Sequence, residues 1–287
     1  MERKRTFRVG GVPEHFNLPW HLALEAGKFK AEGLSVTYQD FPGGTGAMTR
    51  ALAENHLDIA IVLTEGIISA IHKGNPSRIY KSYIDSPLVW GIHVAANGPI
   101  QQEKEIEGKR FAISRIGSGS HLMAIVDAMQ RGWDHESLKF EKVGNLDGAI
   151  KALPADEADI FLWERFSTQP YVSEGIFRRI GEIPTPWPSF MIAIREDIYK
   201  ESKEDLQILF QVINQHCKSL MRDKRAISLI AERYELEQEQ VAQWFAITQW
   251  STDLSIPTQA LLKTQEALLK AGIIDEELSL QKLCFVD

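Results

Sequence analysis

Two glycine-rich runs, Gly43-Gly44-Thr45-Gly46 and Gly117-Ser118-Gly119-Ser120, stand where the pattern predicts that a helix begins. Backbone N–H groups at such a start, with the positive end of the helix, hold a carboxylate, sulfonate or phosphate. Neither run is a P-loop, because the Gly-Lys-Ser/Thr ending is missing, and neither reads G-x-G-x-x-G. Arg115 and Arg165 lie in loops where a guanidinium clamps an anion in bidentate fashion; the alternative is a surface position or pairing with Glu164 or Glu65. Glu65 and Glu164, at corresponding strand ends, offer acceptors for an amine or a hydroxyl. Acid/base catalysis by that pair requires a separation that the sequence does not fix.

Aromatic residues gather in the same loops. Phe16, Trp20, Phe41, Trp163, Phe166 and Trp187 can wall a flat or apolar ligand body, with core packing as the competing role, above all for Phe41 and Phe166. Asn17 brings an amide that both donates and accepts, and Thr64 and Ser114 add hydroxyls. Ser118, Ser120 and His121 suggest a nucleophile, but no Gly-x-Ser-x-Gly elbow is present, and a serine at a helix start is ordinarily a cap. The eight histidines show no His-x-x-x-His spacing, and Cys217 and Cys284 form no Cys-x-x-Cys pair. No catalytic residue, metal or cofactor is therefore expected.

The elements that must hold these loops repeat. Phe7 and Val9 alternate as a strand, Trp20 to Phe29 reads as a helix ending at Gly33, and Leu34, Val36 and Tyr38 make a second strand. A helix through Leu52 follows, then the apolar run Leu57 to Leu63, the mark of a strand buried on both faces. This is βαβαβ with a parallel sheet. Ala51-Leu52 and Asp58-Ile59 recur as Ala152-Leu153 and Asp159-Ile160, at an offset of 101 residues. Phe7, Val9 and His21-Leu22 are echoed by Phe111, Ile113 and His121-Leu122. The pattern predicts two similar α/β lobes, each a mostly parallel sheet flanked by helices, one over 1–92 plus 192–287 and the other inserted as 93–191. Val89 to Val94 leads out and Phe190 to Ile194 leads back, which makes the two crossings a hinge. From Arg195 the sequence is helical and is expected to pack on the first lobe and the hinge. Ligands of open parallel sheets bind beyond the carboxyl ends of the strands, so three loops per lobe are expected to face one cleft.

Composition narrows the function classes. Of 287 residues, 44% are hydrophobic and 25% charged, values typical of a globular protein. A net charge of -7 has the wrong sign for a nucleic-acid binder. No apolar run reaches the ~18 residues of a membrane-spanning helix. Met1 to Arg5 resembles the charged start of a signal peptide, but no apolar stretch follows it. As written the chain is expected to be cytoplasmic, or periplasmic if a leader has been removed.

The segments Asn17-Leu18-Pro19-Trp20-His21-Leu22-Ala23, Glu32-Gly33-Leu34-Ser35-Val36, Phe41-Pro42-Gly43-Gly44-Thr45-Gly46, Ile113 to His121 and Ala158 to Glu164 together resemble the type II periplasmic binding proteins. The resemblance covers about residues 7–195 and is to the nitrate/sulfonate/taurine and thiamine-pyrimidine-precursor branch. It implies a monomeric two-lobe protein that captures a small anionic ligand by hinge closure for an ABC permease. The binding positions it implies are Asn17, Gly44-Thr45, Thr64-Glu65, Ser114, Gly117 to Ser120 and Trp163 to Arg165. The alternative is a cytosolic enzyme or sensor on the same scaffold. Enzymes similar to the thiamine-pyrimidine synthase carry a pyridoxal-phosphate lysine and a cysteine-rich segment, whereas the matching third strand here shows Val62, Thr64 and Gly66 and the chain has no cysteine cluster.

Overall fold

Short apolar strands joined through helices give this chain parallel ladders, and the computed structural model shows where each ladder ends. It describes residues 6–285, so the charged start Met1 to Arg5 lies outside the described residues. The chain forms two compact units, residues 1–86, 187–265 and 276–287 in one, and 87–186 with 266–275 in the other. The division falls at 86/87 and 186/187 rather than at 92/93 and 191/192, and it puts Trp187 in the first unit.

The first unit contains β1 (Thr6–Gly11), α1 (Leu18–Glu25), α2 (Lys28–Ala31), β2 (Ser35–Asp40), α3 (Gly44–Ala53), β3 (Ile59–Leu63) and α4 (Thr64–His72). The helix expected from Trp20 to Phe29 is two helices, because Gly27 sits between them at φ 63, a conformation that ends α1. β1 pairs in parallel with β2 and β3. The long strand β4 (Ser77–Ala95) leaves this unit for the other. The second unit repeats the plan with β5 (Arg110–Ile113), α5 (Gly119–Arg131), β6 (Lys139–Lys142), α6 (Leu146–Ala152), β7 (Ile160–Glu164) and α7 (Gln169–Ser173). β5 pairs in parallel with β6 and β7. The chain returns along β8 (Phe177–Arg195).

Side-by-side order is β2-β1-β3-β8 in the first unit and β4-β7-β5-β6 in the second. Each βαβαβ ladder is thus closed by an antiparallel crossing strand, β8 on β3 in one unit and β4 on β7 in the other. After β8 come α8 (Glu196–Glu201), α9 (Lys203–Arg222), α10 (Ala226–Tyr234), α11 (Gln238–Ile247), α12 (Thr258–Lys270) and α13 (Leu280–Leu283). On α9 the buried residues Leu206, Leu209, Phe210, Ile213, Cys217 and Leu220 keep helical spacing and face α1, where Phe210 meets Trp20 edge to face at 6.1 Å. Residues 266–275 group with the second unit, so the C-terminal segment does not belong wholly to the first.

The internal repeat extends to a polar staple. In the first unit, Asp58 Oδ2 accepts from the Arg8 backbone N–H at 2.8 Å and Arg8 Nε at 3.0 Å, and Asp58 Oδ1 accepts from Nη2 at 2.6 Å. The same guanidinium donates to Asn55 O at 2.5 Å and Asn55 Oδ1 at 2.8 Å. In the second unit Arg110 makes the same set to Asp159 at 2.8, 3.0 and 2.9 Å and to Asp156 O and Oδ1 at 2.9 and 2.6 Å. Asn55 and Asp156 both sit at φ 58, left-handed backbone that Asn and Asp tolerate. Each staple ties the start of the central strand to the turn before its neighbour. Arg110 holds the Asp159 carboxyl below the usual carboxylate range, mainly through their hydrogen bond.

One cation lies inside the first unit. Lys81 is 0% exposed, and its Nζ donates to Asn214 Oδ1 at 2.5 Å and to Ser251 O at 3.5 Å. Burial pushes its pKa down from 10.5 to about 8. The unfolded chain keeps this proton up to 10.5 while the fold releases it near 8, so stability rises with pH across that interval, by about 3 kcal/mol in total. Replacing Lys81 with Met is expected to flatten urea-derived stability between pH 8 and 10.5; an unchanged slope would show that Lys81 is not the group responsible.

Candidate functional site

The loops that follow the parallel strands carry the candidate site residues of each unit. In the first unit, the β1 loop is fixed from below: Phe16 O accepts from Tyr83 Oη at 2.8 Å and Trp250 Nε1 at 2.9 Å. The His15 ring packs on Trp244 at 3.9 Å and stacks with Phe16 at 5.3 Å, and burial pushes its pKa down to about 3. Phe16 itself meets Phe190 at 5.0 Å, so it is core rather than a ligand wall. These contacts deliver Asn17, buried at 0%, with Nδ2 donating to Val12 O at 2.8 Å. Gly11 permits the approach, since a Cβ there would lie 2.0 Å from Tyr38 Oη and 2.6 Å from Asn17 Nδ2.

Trp20, expected as a ligand wall, is 0% exposed and packs against Phe29, Tyr38 and Phe210. The first turn of α3 begins at Gly44, at φ 64, with Thr45 next, and Thr45 Oγ1 accepts from Leu63 N at 3.0 Å, which ties it to the end of β3. The Thr64 hydroxyl donates to Pro188 O and is fully buried. Glu65, in the first turn of α4, accepts at Oε2 from Trp187 Nε1 at 3.0 Å. Trp187 is 2% exposed, so its indole serves Glu65 rather than an open face.

In the second unit the expected anion cradle is largely occupied by its own side chains. Ser114 N donates to Ser120 Oγ at 3.0 Å, Arg115 N to Ser118 Oγ at 3.5 Å, Gly117 N to His121 Nδ1 at 3.3 Å and His121 N to Ser118 Oγ at 3.4 Å. Ser118, Ser120 and His121 therefore shape the loop, and Gly117 turns it at φ 75. Burial lowers the His121 pKa. A helix leaves its first N–H groups without intrahelical partners, and at α5 those of Gly119 and Ser120 are the ones not taken up by Ser118. Arg115 is exposed and has no ion pair among the described residues. Ile116 beside it is 56% exposed, an apolar side chain in a polar loop with no local sequence pattern to mark it.

In the β7 loop both charged site residues have partners within the unit. Glu164 accepts at Oε1 from Phe166 N at 3.0 Å and at Oε2 from Ser167 N at 2.7 Å, so its carboxylate builds its own turn. Burial nevertheless raises its pKa. Arg165 pairs with Glu182, Nε to Oε1 at 3.0 Å, and lies 4.9 Å over the Phe166 ring. Trp163 is half-buried and stacks on Phe161 at 5.1 Å. A cavity of about 440 Å³ in this unit is lined by Val94, Ala95, Lys109, Leu153, Asp159 and Ile176 among others, at the opposite ends of β5 and β7 from these loops.

Paired βαβαβ ladders closed by two crossing strands, with helix starts at the strand ends, define the type II periplasmic-binding-protein fold. The family described as Ca3427-like PBP matches residues 90–183. Among solved structures, the Candida albicans CA3427 gene product, described as having the generic periplasmic binding protein fold, is 27% identical over 98% of this chain and 96% of that one, with a TM-score of 0.88. The alkanesulfonate-binding protein SsuA from Xanthomonas axonopodis pv. citri, bound to MOPS, has a TM-score of 0.81 at 16% identity over 99% of both chains. The aliphatic sulphonate binding protein SsuA from Escherichia coli has a TM-score of 0.78 at 15% identity over 99% of this chain and 93% of that one. Comparison with curated proteins finds no match. Among the described residues no helix is long and apolar enough to cross a membrane.

Proposed function

We propose that this chain is a solute-binding protein that captures a small organic ligand bearing an anionic group, using the loops beyond the strand ends of its units, with hinge closure about the crossing strands. Delivery to an ABC permease, without chemical change to the ligand, belongs to the same proposal. The observation that supports it is the fold itself, shared over nearly the whole chain with proteins whose names record sulfonate binding. The N–H groups of Gly119 and Ser120 and the exposed Arg115 guanidinium supply anion donors at one strand end.

A thermal-shift screen over sulfonates, carboxylates and pyrimidines tests the reading, because a ligand that binds only the folded state raises Tm. At least one anionic class is expected to do so, and no shift with any class would defeat the proposal. For such a ligand, Arg115→Ala is expected to weaken binding about tenfold, the worth of one charge-assisted hydrogen bond, in calorimetric titration.

A further inference from the structure

The first unit leaves two buried acceptors without a partner. Asn17 Oδ1 and Glu65 Oε1 make no hydrogen bond, although Asn17 is 0% and Glu65 4% exposed. The Asn17 amide cannot be turned to relieve this, because Val12 O only accepts and so must face Nδ2. Glu65 is likewise fixed, since the Trp187 N–H holds Oε2. Asn17 follows β1 and Glu65 follows β3, and these strands are direct neighbours in parallel register, Val9 beside Ile59 and Gly10 beside Ala60. Both acceptors therefore stand at the same edge of one unit. Tyr38 Oη, a buried atom, lies next to the Asn17 amide from β2. Folded proteins leave few such atoms, because a buried acceptor that nothing answers has given up its hydration for no return.

The geometry points to a ligand that carries an N–H donor, an amine, amidine or amino-substituted ring, which Glu65 Oε1 and Asn17 Oδ1 read while its anionic group is held elsewhere. This rests on the solute-binding reading above and narrows its ligand class. A simple anion meets only acceptors here and is disfavoured, whereas an N–H group turns two orphaned atoms into two hydrogen bonds. Sites built around a buried hydrogen bond reject the analogue that lacks it more strongly than apolar pockets reject a missing methylene. The protonation of Glu65 fits the same picture. Burial pushes its pKa up to about 7, opposed only by its own backbone N–H and by Trp187 on β8, and no ionic group contributes to the shift. A donor-bearing ligand needs the carboxylate, so binding below pH 7 must expel a proton and weakens by about tenfold per pH unit.

Matched probes test this by calorimetric titration at pH 8: 4-aminobenzenesulfonate against 4-methylbenzenesulfonate, and 3-aminopropanesulfonate against butanesulfonate. Each pair keeps the anion and the shape and exchanges an amino for a methyl group. At least one amino member is expected to bind about tenfold or more tighter than its partner, with the preference shrinking to within about twofold in Glu65→Gln, whose amide still accepts from Trp187. The preference is also expected to fall between pH 8 and pH 6 in the unsubstituted protein. If methyl and amino members bind alike, the donor reading is overturned while the solute-binding proposal survives. If no probe of either pair binds, this inference is overturned, while the solute-binding proposal is decided by its own screen, which also covers carboxylates and pyrimidines. A preference that persists in Glu65→Gln, with that variant folded by circular dichroism, removes Glu65 from the role.

Discussion

Arg8→Met is expected to destabilise the protein by about 3–5 kcal/mol, the usual cost of stranding a buried carboxylate. Asp58 is 1% exposed and takes two hydrogen bonds from the Arg8 guanidinium, so its removal leaves one oxygen dry and unpaired. The repeat supplies an internal comparison. Asp159 makes the same bonds to Arg110 but is 18% exposed, so water replaces part of what Arg110→Met removes and the expected loss is about 1–2 kcal/mol. Urea unfolding followed by tryptophan fluorescence reads both. Equal losses in the two variants would show that burial of the acid does not set the cost of breaking the staple.

Trp244→Ala is the other large effect expected, about 3–5 kcal/mol for emptying a filled aromatic site. Trp244 is 1% exposed and touches His15 at 3.9 Å, Phe16 at 5.0 Å and Trp250 at 5.5 Å. It therefore supports the loop that carries Asn17 as well as the core, and the substitution is expected to lower ligand affinity along with Tm. The pH dependence identifies the mechanism. His15 is kept neutral, with its pKa near 3 against 6.5 when free, so its contribution to stability is complete above 6.5 and is lost as pH falls toward 3, by about 1.4 kcal/mol per unit. Opening the site to water in Trp244→Ala is expected to make this decline shallower. A decline as steep as in the unsubstituted protein would mean that His15 stays dry without Trp244.

The ladders were legible because their signals are local. Leu57 to Leu63 is a short, nearly continuous apolar run, the pattern of a strand buried on both faces, and Asp58 and Asp159 sit at the same point of two repeats. The staple partners Arg8 and Arg110 are not legible, because an arginine on a strand looks like a solvated edge until its aspartate is known to lie beside it. Site residues were harder for the same reason. Asn17, Glu65 and Gly119 stand at strand ends, as topology requires, but nothing in the sequence says which polar atoms the fold itself will use. Thr64, Ser118, Ser120 and Glu164 have the chemistry of ligand contacts and spend it on nearby backbone, whereas Asn17 and Glu65 keep an acceptor unspent. The support of the β1 loop by Trp244 and Trp250 is a contact across most of the chain, for which the sequence carries no local sign.

The crossing strands impose an order of assembly on the nascent chain. β1, β2 and β3 leave the ribosome first, yet β3 takes as its edge partner the second half of β8, Leu63 beside Phe190 and Ile59 beside Ile194. Everything in 87–186 is synthesised in between, and that stretch holds all the strand segments of the second unit. Contacts that close such long loops form late, since the chain entropy must be lost before any pairing offsets it. The strands of the inserted unit can therefore pair with one another while β3 still waits, with one edge unpaired, for a strand not yet made.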